Sequence, residues 1–212
     1  MENTEIYLIR HGDLENPEQI IYDGTISLSE FGKKKMRTLG RFFKERGIVP
    51  DAVVSSPFLR AIQSSQEIMS NFPTIDITIQ SDERLQDPHS PDLFGRSLAW
   101  LDEVVDPYTH PDLLHLQIER PPSFTARMIE SIKSIFRKHN GKTVFVVSHG
   151  HPTAFAMWQL LNPGQALPNL KELKQETGRV PYLEKGEAWK IVLDDQDTIL
   201  SHEHISINKD LS

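Results

Sequence analysis

Ile6-Tyr7-Leu8-Ile9-Arg10-His11-Gly12 decides how this chain is read. Ile6 to Ile9 is a continuous apolar run of β-branched, aromatic and aliphatic residues, the pattern of a strand buried on both faces of a sheet. The run stops at a cation, an imidazole and a glycine. Open α/β sheets place their ligand sites at the C-terminal ends of their strands. Gly12 has no Cβ, so backbone or ligand can approach it closely. Arg10 carries a planar fork of donors that fits phosphate or carboxylate. His11 titrates near neutrality and can serve as a nucleophile or an acid–base group.

Working outward, apolar runs and helical patterns alternate. A polar loop over 13–27 contains no Lys or Arg. Ser29 is the expected N-cap of a helix over 30–46, with Phe31, Leu39, Phe42 and Phe43 as its buried stripe and Gly47 as its C′ residue. Residues 51–55 read as a second buried strand. Ser56-Pro57 then reads as an N-cap followed by proline at the first helical position, opening a helix over 57–71. Residues 75–79 alternate as a third strand. A polar loop over 81–95, a short helix over 96–105 and a proline-rich, lid-like excursion over 106–122 follow, so 81–122 reads as a specificity insertion. Ser123 is expected to cap a helix whose Phe124, Met128, Ile132, Ile135 and Phe136 share one face, closed by His139-Asn140-Gly141. Residues 143–147 form the strongest strand pattern and run into Ser148-His149-Gly150-His151, with a helix expected from about 152 to 161. Residues 165–186 read as irregular, with one helical turn at 170–174. Residues 188–193 and 198–207 read as a closing hairpin. This order predicts a single domain: a three-layer α/β/α sandwich around a mostly parallel, mixed sheet.

Composition narrows the function classes. The 212 residues carry 23 Lys+Arg against 30 Asp+Glu, a net charge of −7. That balance disfavours nucleic acid as a partner, which calls for a basic face. The chain has no cysteine, which excludes disulfides, thiolate catalysis and cysteine-ligated zinc. No signal peptide is visible and no apolar run is long enough to span a bilayer, so a cytoplasmic location without membrane attachment is the expectation.

Three strands thus end in matching chemistry: Arg10-His11-Gly12, then Ser55-Ser56-Pro57 with Arg60 in the next helix turn, then Ser148-His149-Gly150. If the strands run parallel, two arginines, two histidines and a helix N-terminus converge on one sheet edge, an anion pocket suited to a phosphoryl group. These segments, together with Phe58-Leu59-Arg60-Ala61-Ile62-Gln63-Ser64 and Val146-Val147, resemble the histidine phosphatase superfamily, the phosphoglycerate-mutase-like group. They occur in family order and the likeness covers most of the chain. Leu28 to Gly32 resembles the family's Leu-Thr-x-x-Gly helix start, with Lys35 where a glutamine is usual. Ser123-Phe124 resembles its Glu-Ser-Phe helix entry without the glutamate.

The resemblance implies a phosphoglycerate-mutase-like fold and a phosphomonoester hydrolase in which His11 becomes a phosphohistidine. Arg10, Gly12, Arg60, His149 and Gly150 would surround the phosphoryl oxygens, with no cofactor and no metal. The family's proton donor is a glutamate in an Arg-Leu-x-Glu segment. Here Arg84-Leu85-Gln86-Asp87 puts Asp87 in that place, with Glu83 and His89 as rivals. The expected partner is a phosphorylated small molecule or a phosphoprotein. The mutases' Glu-x-x-Tyr-Gly segment is absent, which favours hydrolysis over phosphoryl shuttling. Two alternatives stand beside this: a phosphate-binding pseudoenzyme of the same fold, and a phosphoglycerate-mutase-type phosphotransferase. Of the remaining histidines, His151 is expected to make a local hydrogen bond at a helix start. His110 and His115 are expected to be solvated loop residues, and His202 and His204 a surface pair.

Overall fold

The computed structural model describes residues 4–175, 182–194, 196 and 198–207. Six strands form one mixed sheet: β1 (Glu5–Arg10), β2 (Ala52–Ser55), β3 (Ile79–Ser81), β4 (Thr143–Ser148), β5 (Ala188–Leu193) and β6 (Ile199–Ile205), in spatial order β3-β2-β4-β1-β5-β6. β3, β2, β4 and β1 run parallel, whereas β5 and β6 join antiparallel as the closing hairpin. Helices α1 (Glu30–Glu45) and α2 (Leu59–Met69) cover one face; α4 (Pro121–Lys138) and α5 (Gly150–Leu161) cover the other. The short helices α3 (Leu98–Val104) and α6 (Leu170–Gln175) lie in the longer connections.

The strand period of two divides the core. Ile6 and Leu8 of β1 join Val144 and Val146 of β4 against Met128, Ile132 and Ile135 of α4. Tyr7 and Ile9 point the other way, with Phe145 and Val147, onto Met36, Leu39 and Phe43 of α1 and Ile68 of α2. Both faces of β1 and β4 are therefore dry, which is why their sequences are continuously apolar instead of alternating. A third cluster gathers Leu93, Tyr108, Leu113 and Ile118 against Phe124 and Phe155, at one end of α4 and α5.

Several element ends differ from the sequence reading. The third strand covers 79–81 rather than 75–79; Ile75 and Ile77 instead pack half-buried against the α1–α2 core. Phe31 is 58% exposed, and the buried stripe of α1 runs through Lys35, Met36, Leu39, Gly40 and Phe43. α2 starts at Leu59, with Phe58 in its N-cap position, and the Ser56 hydroxyl accepts from both the Phe58 N–H at 3.3 Å and a histidine ring (described below). α4 starts at Pro121, two residues before Ser123, since the Pro121-Pro122 pair supplies helical φ with no N–H to satisfy. α5 opens at Gly150, which makes His149 its N-cap residue. Ser29 does cap α1, accepting from the Gly32 N–H at 3.0 Å. Gly47 (φ +69°) closes it: the Gly47 and Ile48 N–H groups donate to Lys44 and Phe43.

The excursion over 106–122 is a packed wall rather than a free flap. The Arg120 guanidinium donates to the carbonyls of Pro107, Tyr108, Leu113, Leu114 and Leu116. The buried Asp106 carboxylate accepts from the Tyr108 and Leu170 N–H groups, tying the wall to α6.

Candidate active site

The parallel register delivers the three motifs to one edge. Arg10 lies opposite Ser148, and Ser55 opposite Val147. Just beyond the strands, the His11 N–H donates to Ser148 O at 3.0 Å and the Ser56 N–H to Val147 O at 2.9 Å. His11 and His149 then meet edge to face, with ring centroids 5.1 Å apart.

His11 is 4% exposed. Its Nδ1 lies 2.8 Å from the Gly12 carbonyl. A carbonyl only accepts, so Nδ1 carries the proton and Nε2 is the ring's basic nitrogen. Burial, reinforced by the charges of Arg60 and then Arg10, holds the imidazole pKa well below the ordinary histidine value. His11 is therefore neutral at pH 7.

Arg60 is 2% exposed, and each of its three nitrogens makes one hydrogen bond. Its Nη2 donates to Asp87 Oδ2 at 3.0 Å, its Nη1 to Asp23 O at 3.0 Å, and its Nε to His149 Nδ1 at 3.2 Å. That last bond makes Nδ1 of His149 an acceptor, so Nε2 carries the proton and donates to Ser56 Oγ at 2.9 Å. Burial, then Arg60, His11 and Arg10, push His149 well below its ordinary pKa. Desolvating a guanidinium costs several kcal/mol, and an apolar residue of similar volume is often as stable. A buried arginine here is thus better explained by what it holds than by stability.

Arg10 is braced from the chain's far end. Its Nη1 donates to Leu183 O at 2.6 Å and its guanidinium sits 5.2 Å from the Tyr182 ring centroid. Its Nε is buried without an acceptor among the described residues. Gly150 permits this crowding: a Cβ there would come within 2.9 Å of Arg10 Cζ and 2.5 Å of the Tyr182 hydroxyl. Gly12 serves packing in the same way, since a Cβ would lie 2.9 Å from Gly32 O. Its own N–H donates to Ser64 Oγ at 3.1 Å.

The structure separates the three acid candidates. Asp87 reaches Arg60, and its Oδ2 lies 3.7 Å from His149 Nδ1. Glu83 is exposed and lines a surface cleft with Gln80 and Lys138, away from Arg60. His89 is exposed at the rim of the cavity that Asp87 lines. That cavity, about 240 Å³, opens beside Arg10 and Arg60.

Four supporting residues escape a motif reading. Arg127, on α4, donates to the carbonyls of Arg84 and Gln86 at 2.7 and 2.9 Å and of Asp87 at 3.3 Å, and pairs with Glu119 at 2.8 Å. Glu119 also accepts from the His89 N–H. Arginine on a helix beside a buried stripe gives no sequence sign of this; only the fold brings 84–87 to it. Tyr108 and His151 share a 2.5 Å hydrogen bond at the cavity wall, so His151 is paired at long range, not locally as expected. Burial lowers its pKa to about 4. Tyr182 sits beside both Arg10 and His151. Of the outlying histidines, His115 is exposed and His110 half-buried. His204 bonds Glu187 at 3.0 Å, and both His202 and His204 flank Trp189.

Comparison with known proteins agrees with this geometry. The model of the histidine phosphatase superfamily (branch 1) matches residues 6–193. Phosphoglycerate mutase 1 of Saccharomyces cerevisiae is 29% identical over 97 residues, 45% of this chain and 39% of that protein. The chain spans about two-fifths of the length of the curated relatives it matches. Among solved structures, Bacillus stearothermophilus YhfR superposes with a TM-score of 0.75 at 24% identity, covering 99% of this chain and 98% of that one. A putative α-ribazole-5′-P phosphatase from Escherichia coli K-12 gives 0.72 at 16% identity, covering 97% of each chain. These two likenesses concern the fold. With the family model spanning all three strand-end motifs, the chain belongs to the histidine phosphatase superfamily, branch 1.

Proposed function

We propose that this chain is a phosphomonoesterase working through phospho-His11. The observation that carries the reading is the state of His11: Nδ1–H held by Gly12 O, the ring neutral from burial beside two guanidiniums, and Nε2 left as nucleophile. In the first step Nε2 attacks phosphorus and the ester P–O bond breaks. Protonated Asp87 gives its proton to the departing oxygen. In the second step water attacks the phosphohistidine, its proton passes to the Asp87 carboxylate, and the P–N bond breaks to release inorganic phosphate. A covalent intermediate divides one difficult hydrolysis into two easier displacements.

Arg10 and Arg60 stay charged throughout and face the equatorial oxygens, where transition-state charge gathers. Asp87 rests on Arg60 before substrate arrives. A phosphate dianion competes for that guanidinium and frees the carboxyl to face the departing oxygen. His149 holds Arg60 in place by accepting from Arg60 Nε at its Nδ1, and its edge-to-face contact with His11 puts it at the phosphoryl position.

Hydrolysis of p-nitrophenyl phosphate by wild type, with EDTA present, beside His11→Ala tests this. Wild type is expected to turn over and the variant to lose at least about 10³-fold in kcat, as for removal of a covalent nucleophile. Equal rates for the two would overturn the reading.

A further inference from the structure

The cavity beside Arg10 and Arg60 has two unlike ends. One end is the phosphoryl site. The other is apolar: Ile21, Tyr22, Phe58, Leu93, Phe94 and Leu98 face it. Three of these, Leu93, Phe94 and Leu98, come from the 81–122 segment, and backbone bonds hold that stretch against the 19–21 loop: the Ile21 N–H donates to Arg96 O, the Gly95 N–H to Ile21 O and the Leu98 N–H to Gln19 O. The Phe58 and Tyr22 rings lie 4.8 and 5.4 Å from the Arg60 guanidinium, so aromatic surface begins where the phosphate would end.

The charges along this wall are equally one-sided. Among the described lining residues the cations are Arg10 and Arg60, both committed to the phosphoryl position, while Asp23 and Asp87 are carboxylates. Lys171 and Lys174 line an adjoining cavity of about 250 Å³, on the other side of Leu101, Pro107 and His151. A carboxylate or second phosphate carried on the leaving group would meet apolar side chains and two like charges. Desolvating it there without a partner is unfavourable. An aromatic ring in the same place buries apolar surface and stacks on ring faces.

Resting on the phosphomonoesterase reading, we infer that the preferred substrate is a monoester of an uncharged, largely apolar alcohol, an aryl or bulky alkyl phosphate. The Leu93–Phe94–Leu98 wall sets that preference. Phosphorylated hydroxyacids and amino acids are poorer substrates, because along this wall a second charge meets apolar side chains and the Asp23 and Asp87 carboxylates, with no further cation among the described lining residues.

The test compares 1-naphthyl phosphate with 3-phosphoglycerate and O-phosphoserine, read as inorganic phosphate release by the full chain. Naphthyl phosphate is expected to lead in kcat/KM by about 100-fold, the scale on which an unpaired polar group is rejected from an apolar pocket. Phe94 is 43% exposed, so truncating it leaves the core intact. Phe94→Ala is expected to raise KM for naphthyl phosphate about tenfold, and to raise it more than it lowers kcat. Leu98→Lys adds a cation to the wall and is expected to narrow the gap to 3-phosphoglycerate. Phosphoglycerate or phosphoserine hydrolysed as well as naphthyl phosphate would overturn the inference and leave the phosphatase reading standing. If no ester is hydrolysed, the phosphatase reading falls, and calorimetric affinities of wild type for naphthyl phosphate and 3-phosphoglycerate decide the wall's role. Tighter naphthyl binding supports it; equal or reversed affinities overturn it.

Discussion

At the scale of single residues, the site works by keeping two histidines neutral and two arginines charged in one dry corner. His11 and His149 are 4% and 0% exposed, and burial is the first cause of each lowered pKa. This has a consequence for stability. An unfolded chain protonates these imidazoles near pH 6.5, while the folded chain resists until well below that value. Between the two, the unfolded state binds more protons, so stability is full above about pH 6.5 and is lost as pH falls through the window beneath it. Each such histidine contributes at most about 1.4 kcal/mol per pH unit there. The melting temperature is therefore expected to fall steadily from pH 7 to pH 5, and His149→Asn to flatten part of that slope. A melting temperature independent of pH across this range would contradict the neutral, buried pair. Residue-level reading of the sequence found Arg10, His11, Arg60, His149 and Asp87, which the fold brings together. It was silent on Arg127, Tyr108 and Tyr182, because the contacts that bring them to the site, with Asp87, His151 and Arg10 in turn, join residues 40, 43 and 172 positions apart and no local pattern marks such a meeting.

At the scale of elements, the turn bearing Asp87 is held from two sides. Ser148 Oγ, at the end of β4, donates to Leu85 O at 2.8 Å, and Arg127 of α4 donates to the carbonyls of Arg84, Gln86 and Asp87. Arg127→Ala would leave those carbonyls and the Glu119 carboxylate without their shared donor. We expect a loss of about 2–4 kcal/mol of stability, the scale for breaking a largely buried charged network. With Asp87 no longer positioned, kcat should fall more for a poor leaving group such as an alkyl phosphate than for p-nitrophenyl phosphate, which departs without a proton. A uniform loss across leaving groups would show that Arg127 acts on stability alone. Elements were legible where a local rule governed them: the β1 and β4 apolar runs, the Ser29 cap and the Gly47 ending of α1. They were misread where tertiary contact prevailed. Ser56 accepts from the Phe58 N–H as a cap would, but it also bonds His149, and the helix begins only at Leu59. Residues 75–79 alternate like a strand, yet β3 pairs with β2 only from Ile79. The helical turn expected at 170–174 is the helix α6, while the rest of the irregular stretch at 176–181 lies outside the described residues.

At the scale of the molecule, a parallel sheet does the assembling. β1, β2 and β4 run side by side in one direction, so chemistry separated by more than a hundred residues arrives at a single edge. The antiparallel β5 and β6 close the sheet beyond β1, and the segment just before β5 supplies Leu183 and Tyr182 to brace Arg10. Among the described residues no helix is long and apolar enough to cross a membrane. The three-layer architecture was readable because strands and helices alternate. The packed character of 106–122 was not, since its order comes from Arg120 and Asp106 reaching backbone groups that a sequence presents without distinction. The measurement that bears most directly on the whole account is rapid quenching of wild type during turnover of p-nitrophenyl phosphate, followed by mass analysis of its peptides at alkaline pH, where phosphohistidine survives. The account predicts one phosphoryl group on the peptide carrying His11, lost on brief acid treatment and absent from His11→Ala. A phosphoryl group on another residue, or turnover in the His11→Ala variant at the wild-type rate, would contradict it.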